Sequence, residues 1–419
     1  MTRTHIIGAG MAGLACAVYL AQAGRRVTLH EAAPQAGGRC RSYHDDRLDR
    51  WVDNGNHLLL AANLHALGYL DAVGARHKLT APPGAHFPFV DLNTGERWTV
   101  RPNAGRIPWW LLSKRRRVAG AGILAHLRGL RLATGGAEAS VAERLYRPND
   151  PMWKRLWLPL TEAIMNTEAE TASAKLLGDV LGQAFARGAD TAKPLVALNS
   201  LSDTFVDPAL AVLERAGAEV AFGQRLRRFE GRAGEISGLD FGNTRVALEP
   251  GDRVVLTVPG RVAAALLPNL SVPPENRPIV NAHIRLPHRA RLAEGIPFIG
   301  LIGGTAQWLF LRDDVASITV SAANALVDRP AEEIAAAVWK DTAKTLSLDP
   351  AVRPPMRVIK ERRATFAATP EALAQRPGTL TRFPNLYLAG DWTNTALPST
   401  IEGAIHSGEA AANAVLGEG

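Results

Sequence analysis

The feature that most constrains this chain lies at its start. "THIIGAGMAGLACAVYLAQAGRRVTLHEA" sets Gly8, Gly10 and Gly13 between a short apolar run and an alanine-rich stretch that ends at Gly24. Three readings compete for it. Residues 5–24 hold no Asp, Glu, Lys or Arg, Arg3 precedes them, and Ala21, Gln22 and Ala23 resemble a signal-peptidase site, so a secretory signal is one reading and a membrane anchor another. The third is a strand, a glycine turn and a helix built to hold a dinucleotide. GxGxxG spacing favours it: Gly8 makes the tight turn, Gly10 lets backbone approach a pyrophosphate, and Gly13 lets the helix pack on the strand. A helix opening at Met11 and Ala12 offers N–H donors and partial positive charge to the phosphates. A second strand, "RVTLH", runs into Glu31 and Ala32, about 20 residues past the glycines, where a carboxylate can accept both hydroxyls of an adenosine ribose.

The remainder of the chain divides by pattern. Residues 85–101 read as two alternating strands about the turn Asn93, Thr94, Gly95, and 107–187 as mostly helical with breaks at Pro148, Pro151 and Pro159. An α/β pattern returns over 210–258: a helix near 209–216, then "AEVAFG", "RLRRFEGRAGEISGLDFG" and "RVVLTVP" as strands. An all-strand block spans 279–322, with a helix near 332–346. The expected fold is α/β, a discontinuous Rossmann-like cofactor domain (1–75, 201–268, 376–419) with a mixed α+β substrate domain in two pieces (76–200, mostly helical; 269–375, antiparallel sheet plus helix). At 419 residues and 47% hydrophobic, the chain can bury cores for two or three such units.

The closing segment says which dinucleotide. "LAGDWTNTALPSTIEGAIHSGEAAANAVL" reads as a buried strand ending in Gly390 and Asp391, a loop, and a small-residue helix opened by Ser399, Thr400 and Ile401. A nicotinamide dinucleotide rarely needs this second cradle. A flavin does, because its ribityl hydroxyls want a carboxylate and its O2 gains negative charge on reduction, which a helix N-terminus stabilises.

"GAGMAGLACAVYLAQAGRRVTLHEAAPQAGGRCRS" resembles the opening of the FAD-dependent amine oxidase and phytoene desaturase superfamily, in which GGR after the acidic residue meets pyrophosphate and flavin; the resemblance implies Gly38 and Arg39 in those places. "VDNGNHLLL", residues 52–60, together with the closing segment, is similar to one branch, the squalene-associated FAD-dependent desaturases, understood as hydroxysqualene dehydroxylases of hopanoid pathways. The resemblance implies FAD as cofactor, with Gly55, Asn56, His57 and Leu226 among its contacts. It also implies the reaction: hydroxysqualene loses its allylic hydroxyl as water, and reduced FAD delivers hydride from N5 to the cation in a dry pocket, giving squalene. His57 is the one side chain between Asp53 and His57 able to donate a proton near neutral pH, and so is the candidate catalytic acid; a purely hydrogen-bonding role is the alternative. The sequence departs from the branch at Ala396, where Gly is expected. No aromatic pair flanks the closing motif, where Thr393, Thr395 and Leu397 stand, which counts against an amine substrate. Two other functions remain open: a carotenoid-precursor desaturase, with hydride flowing the other way, and a prenyl-lipid escort without redox chemistry, against which the complete cofactor motifs argue.

Metal ligation is not expected. Cys16 and Cys40 fit no metal spacing and suit a reducing, cytoplasmic setting, with Cys16 a small buried thiol. Asp45, Asp46 and Asp49 read as a solvated loop with Arg47 and Arg50, while His283 and His288 point to opposite faces of a strand. Lys plus Arg exceed Asp plus Glu by 48 to 40, giving +8. Part of that charge lies in residues 105–132, where Trp109, Trp110, Leu111 and Leu112 directly precede Lys114, Arg115, Arg116 and Arg117. Indoles beside a basic cluster suit peripheral contact with the inner face of the cell membrane and a substrate too apolar for water; core tryptophans beside a solvated basic face are the equal alternative. Without interleaved stacking aromatics the charge does not suit nucleic acid. No motif names an electron donor.

Overall fold

The structure is a computed structural model and describes residues 2–417 except 135, 186, 233 and 275. Residues 418 and 419, the end of the last expected cofactor segment, and Ala233, within an expected strand, lie outside the described residues.

The opening apolar run forms β1 (Arg3–Ile7), followed by helix α1 (Met11–Gln22) and β2 (Arg26–His30). Thr4 to Ile7 are all buried, as befits a central strand of a parallel sheet covered on both faces. The sheet has five parallel strands in the order Glu219–Ala221, β2, β1, Arg253–Leu256, Leu386–Leu388. Three separate stretches of chain thus converge on it. The uncharged residues 5–24 are its central strand and one covering helix, which accounts for their apolarity.

The closing helix Ile401–Leu416 lies against α1. A Cβ on Gly408 would stand 2.2 Å from the Ala12 carbonyl oxygen, so the small residues of "HSGEAAANA" set how near the two helices come.

A second sheet of seven strands runs in the order Met356–Thr365, Arg277–Arg285, Val315–Val320, Trp308–Arg312, Phe298–Ile302, Phe87–Asp91, Arg97–Val100. It is antiparallel except where Phe298–Ile302 meets Phe87–Asp91. One face, with Val280, Ala282, Ile284, Leu309 and Ile318, packs on Ile334, Val338 and Trp339 of the helix Ala331–Leu346. Strand alternation turns Asn281, His283, Phe310, Ser317 and Thr319 to the opposite face, toward the cofactor sheet.

Three expectations change. The helix opened at Pro151 runs on into Leu158–Met165 through a π turn at Trp153–Trp157, so Pro159 does not break it. The wide turn leaves room for the proline ring, which in a regular α turn meets the carbonyl four residues back. Asp45 is buried rather than solvated: it accepts from Leu48 N at 3.0 Å and pairs with Arg357 at 3.2 Å, holding a hairpin turn, while Asp46 and Asp49 are exposed. The strands Arg228–Arg232 and Glu235–Asp240 gain an unexpected third, Arg245–Ala247, and form a small sheet of their own.

Gly408→Ala should lower the free energy of urea unfolding by about 1–3 kcal/mol, the usual cost of overpacking. Gly68→Ala, where a Cβ meets nothing within 4 Å, should be neutral or slightly stabilising in the same measurement.

Candidate functional site

Each glycine of the opening motif has its own geometric reason. Gly8 has φ +113° and donates its N–H to the His30 carbonyl at 2.7 Å, closing the turn. A Cβ on Gly13 would stand 1.9 Å from the Gly8 carbonyl oxygen, so helix could not meet strand. Gly10 caps α1, and a Cβ there would point into space with no atom within 4 Å. Behind it, Gly38 (φ +55°) passes so near that its own Cβ would be 3.3 Å from Gly10 Cα. Glu31, at the end of β2, accepts from the backbone N–H groups of Ala9 and Ala33, both at 2.7 Å, which fixes its carboxylate at the mouth of the loop with lone pairs to spare. Leu226 is buried two residues past Gln224, whose N–H donates to the Glu31 carbonyl at 2.8 Å; Ala32 is exposed beside it.

The closing segment meets this loop through side chains. Arg39 donates to Asp391 Oδ1 at 2.7 Å and also to the Ala364 carbonyl, while Ser399 donates to Asp391 Oδ2. Gly390 (φ +150°) donates to Ser407 Oγ at 2.8 Å, and Thr400 caps the closing helix by accepting from Gly403 N at 3.1 Å. Sequence reasoning missed Arg376. Its buried guanidinium gathers the loop by donating to the carbonyls of Asp391 (3.1 Å), Leu397 (2.8 Å) and Thr393 and to Thr395 Oγ1 (2.9 Å). Burial pushes its pKa down to about 10 against the opposing pull of Asp391. An isolated Arg in "ALAQRPG" carries no signal of that role. Ala396, the departure noted in the sequence, has φ +56° in this loop, where glycine would be unstrained.

These residues fit FAD. Two helix N-termini, a cradle at Gly10 that a Cβ would fill, and two carboxylates, Glu31 at the first loop and Asp391 at the second, are the donors and acceptors such a dinucleotide needs.

Residues 53–58 lie across the polar face of the seven-stranded sheet. Buried Asp53 accepts from Ser42 Oγ (2.6 Å), Leu201 N (2.9 Å) and Arg312 (2.8 Å). His283 Nε2 lies 2.9 Å from the Asp53 carbonyl, which makes it the donor, and Nδ1 then accepts from Ser317 Oγ at 2.8 Å. Asn56 donates to Thr319 Oγ1 at 2.9 Å, Thr319 to Asn281 at 2.8 Å, and Asn281 to the Asn54 carbonyl at 3.2 Å.

His57 follows, on a cavity of about 90 Å³ shared with Asn56, Val196, Leu201, Phe310 and Arg312. Its side chain is solvent-exposed at that cavity, and where neighbouring protein displaces water its pKa is pulled down; Asp53 opposes that shift and Arg39 adds to it. Leu58, Phe87, Val196, Ile296, Phe298, Trp308 and Phe310 form an apolar wall nearby. A larger cleft, about 570 Å³, lies across Asp53 and Arg312 and is lined by Arg50, Arg289, Asp313 and Asp314, a charged surround unsuited to a hydrocarbon.

Glu162 was also missed. It receives a hydrogen bond from Gln307 Nε2 at 2.9 Å, one residue before the Trp308–Thr319 rung, and burial, aided by Glu170 and Glu168, pushes its pKa up to about 7. In sequence it is one Glu in a helical stretch; the sheet laid over that helix buries it.

A family model described as flavin containing amine oxidoreductase matches residues 11–416. A hydroxysqualene dehydroxylase of Sinorhizobium fredii is 42% identical over 414 residues, 99% of this chain and 98% of its own length. A 15-cis-phytoene desaturase of Synechococcus elongatus is 22% identical over 99% of this chain and 96% of its own. The solved cyclohexylamine oxidase of Brevibacterium oxydans superposes with a TM-score of 0.71 at 15% identity, covering 100% of this chain and 99% of that one, and shares the fold.

Gly10→Ala should leave the stability of the FAD-free protein within about 1 kcal/mol of the parent, yet abolish flavin retention through gel filtration. Asp391→Ala should weaken FAD binding by about ten- to a hundredfold, the worth of a charged hydrogen-bond partner. Ala396→Gly should raise stability by about 0–1 kcal/mol, left-handed strain relieved less the added freedom of the unfolded chain, read as a small rise in Tm.

Proposed function

Because this chain belongs to the hydroxysqualene dehydroxylases of the flavin containing amine oxidoreductase family, we propose that it removes the hydroxyl of hydroxysqualene reductively to give squalene, an FAD-dependent step of hopanoid and triterpenoid biosynthesis. The observation that carries this reading is identity of 42% along nearly the whole chain, against 22% to a phytoene desaturase. The C–O bond breaks with its electron pair going to oxygen, which takes a proton and leaves as water; a C–H bond forms from hydride. FAD, when bound and reduced, supplies that hydride.

The chain's residues hold and shield the reacting groups. Gly8, Gly10, Met11, Ala12, Gly13 and Gly38 are assigned to the pyrophosphate, and Glu31, Ala32 and Leu226 to the adenosine. Arg39, Gly390 and Asp391 are assigned to the ribityl and adjoining phosphate. Ser399, Thr400 and Ile401, together with Gly55, Asn56 and His57, would hold the flavin ring. The chain's division into three cofactor pieces and two substrate pieces follows the same assignment. The apolar wall beside Leu58 keeps water from the allylic cation.

His57 was expected to give the proton. His57 is assigned the place beside the departing hydroxyl, as its proton donor or, with the ring neutral, as an N–H hydrogen-bond donor. Glu162, held by Gln307 at the same sheet and with a pKa raised to about 7 by burial, is the second candidate for the proton. The enzyme works on an apolar isoprenoid and is placed in the cytoplasm, peripheral on the inner face of the membrane; among the described residues no helix is long and apolar enough to cross one.

Purified protein given hydroxysqualene or phytoene, each with oxidised or reduced FAD, should convert only hydroxysqualene and only with reduced FAD; desaturation of phytoene with oxidised FAD would reverse the assignment. The pH profile separates the two side chains. With Glu162 as the donor, protonated below its pKa, kcat should hold at pH 6 and fall as pH rises through about 7, and Glu162→Gln should lose that alkaline limb. His57→Gln should retain FAD and lower kcat by roughly tenfold or more without moving the limb. A limb that instead disappears with His57 would assign the proton to the imidazole.

A further inference from the structure

Of the fifteen large apolar side chains exposed among the described residues, seven fall between Ile107 and Leu130. They form two ridges. Ile107, Trp109 and Leu112 project from the turn Trp109–Leu112 and the residues before it, while Trp110 and Leu111 point inward. Leu124, Leu127 and Leu130 project from the helix Ile123–Leu127 and the 3₁₀ turn Arg128–Leu132 that continues it. Three residues per 3₁₀ turn keep Leu127 and Leu130 on one edge. The inner side of this second ridge is held down: Ala125 and Leu132 are buried, and a Cβ on Gly129 would be 2.7 Å from the Trp157 ring. His126 ties the ridges together. Its ring meets Trp110 edge-on at 5.6 Å, accepts from Val118 N at 3.3 Å and donates to the Gly122 carbonyl at 2.8 Å.

The charge of the same stretch is one-sided. Residues 101–137 contain eight Lys and Arg and no Asp or Glu, which equals the net +8 of the whole chain, so the rest is balanced. Arg117 is buried and Arg128 is paired with Asp150, but Arg106, Lys114, Arg115 and Arg131 are exposed, and among the described residues no carboxylate pairs with them.

We propose that residues 105–132 form a docking platform for an anionic lipid bilayer: the two apolar ridges, Trp109 among them, enter the acyl boundary, and the exposed cations between and beside them meet lipid phosphates. An apolar patch of this extent is unusual on a soluble surface, and indole at the rim of a basic apolar face suits the headgroup layer. A symmetric contact between two copies would set the exposed cations Arg106, Lys114, Arg115 and Arg131 against their own counterparts, which disfavours it. The platform takes from the proposed function only the expectation that an isoprenoid reaches the enzyme from the bilayer; the docking itself stands on the surface.

Holoprotein should float with vesicles of phosphatidylcholine containing phosphatidylglycerol and not with phosphatidylcholine alone, and salt near about 0.5 M should release it, since the cationic share is screened. Leu124→Asp with Leu130→Asp should reduce flotation at least tenfold while leaving bound FAD and circular dichroism unchanged. Lys114→Gln with Arg115→Gln should reduce it by several-fold and flatten the salt dependence. Parent protein that stays in the soluble fraction, or Asp variants that float as the parent does, would overturn the platform. So would a dimer in sedimentation velocity that the Asp variants dissolve. Flotation of a parent that fails to convert hydroxysqualene upholds the platform and overturns only the functional reading.

Discussion

A single carboxylate holds the two ends of this chain to one another. Asp391 accepts from Arg39, 352 residues earlier, and from Ser399, eight residues later, while its own carbonyl accepts from Arg376. Its side chain is 8% exposed, so it depends on these donors: a charge left there without a partner would cost several kcal/mol. Because Arg39 follows the glycine at 38 and Ser399 precedes the closing helix, the same contact brings together the loop at Gly10 and the second helix N-terminus. The close approach of Gly408 to Ala12 keeps the two helices in that relation.

The seven-stranded sheet is aligned on that junction by polar contacts. One of its faces is apolar and would tolerate sliding on the helix beneath it; the other is not. His283 is held between Ser317 and the Asp53 carbonyl, and Asn56, Thr319, Asn281 and the Asn54 carbonyl form an unbroken chain of donors and acceptors. A shift of one residue would turn these groups into the helix-facing core and leave them unpaired at about 1–3 kcal/mol each. The register therefore determines where the apolar wall of Phe298, Trp308 and Phe310 stands relative to His57. Because Asn56 bonds Thr319 and Glu162 is held by Gln307, one residue before the Trp308–Thr319 rung, the same register also fixes where His57 and Glu162 stand.

What the sequence made legible was local backbone. Gly8, Gly10 and Gly13 each answer a constraint that acts within a few residues or on the adjacent strand, and Ala396 falls at a left-handed position where a glycine was expected. Charged residues buried by distant chain were not legible. Arg376, Glu162 and Asp45 look like ordinary surface charges in their own segments; a loop 15–21 residues on encloses the first, the head of a sheet strand 145 residues on covers the second, and Asp45 is held by its own hairpin turn together with distant Arg357. The basic aromatic stretch shows the same limit at shorter range. Trp109 and Trp110 are neighbours, yet one is exposed and the other packs on His126, because a tight turn sends consecutive side chains to different sides. Sequence composition located that surface but could not say which of its residues face outward.

In the proposed function, the junction at Asp391 assembles a flavin site for reductive removal of a hydroxyl. Anaerobic single turnover tests it most directly: enzyme carrying one equivalent of reduced FAD is mixed with hydroxysqualene, and flavin absorbance is followed beside product. One squalene should form for each flavin oxidised, at matching rates. Squalene appearing with no change in the flavin, or oxidised flavin becoming reduced as a hydrocarbon loses hydrogen, would contradict it.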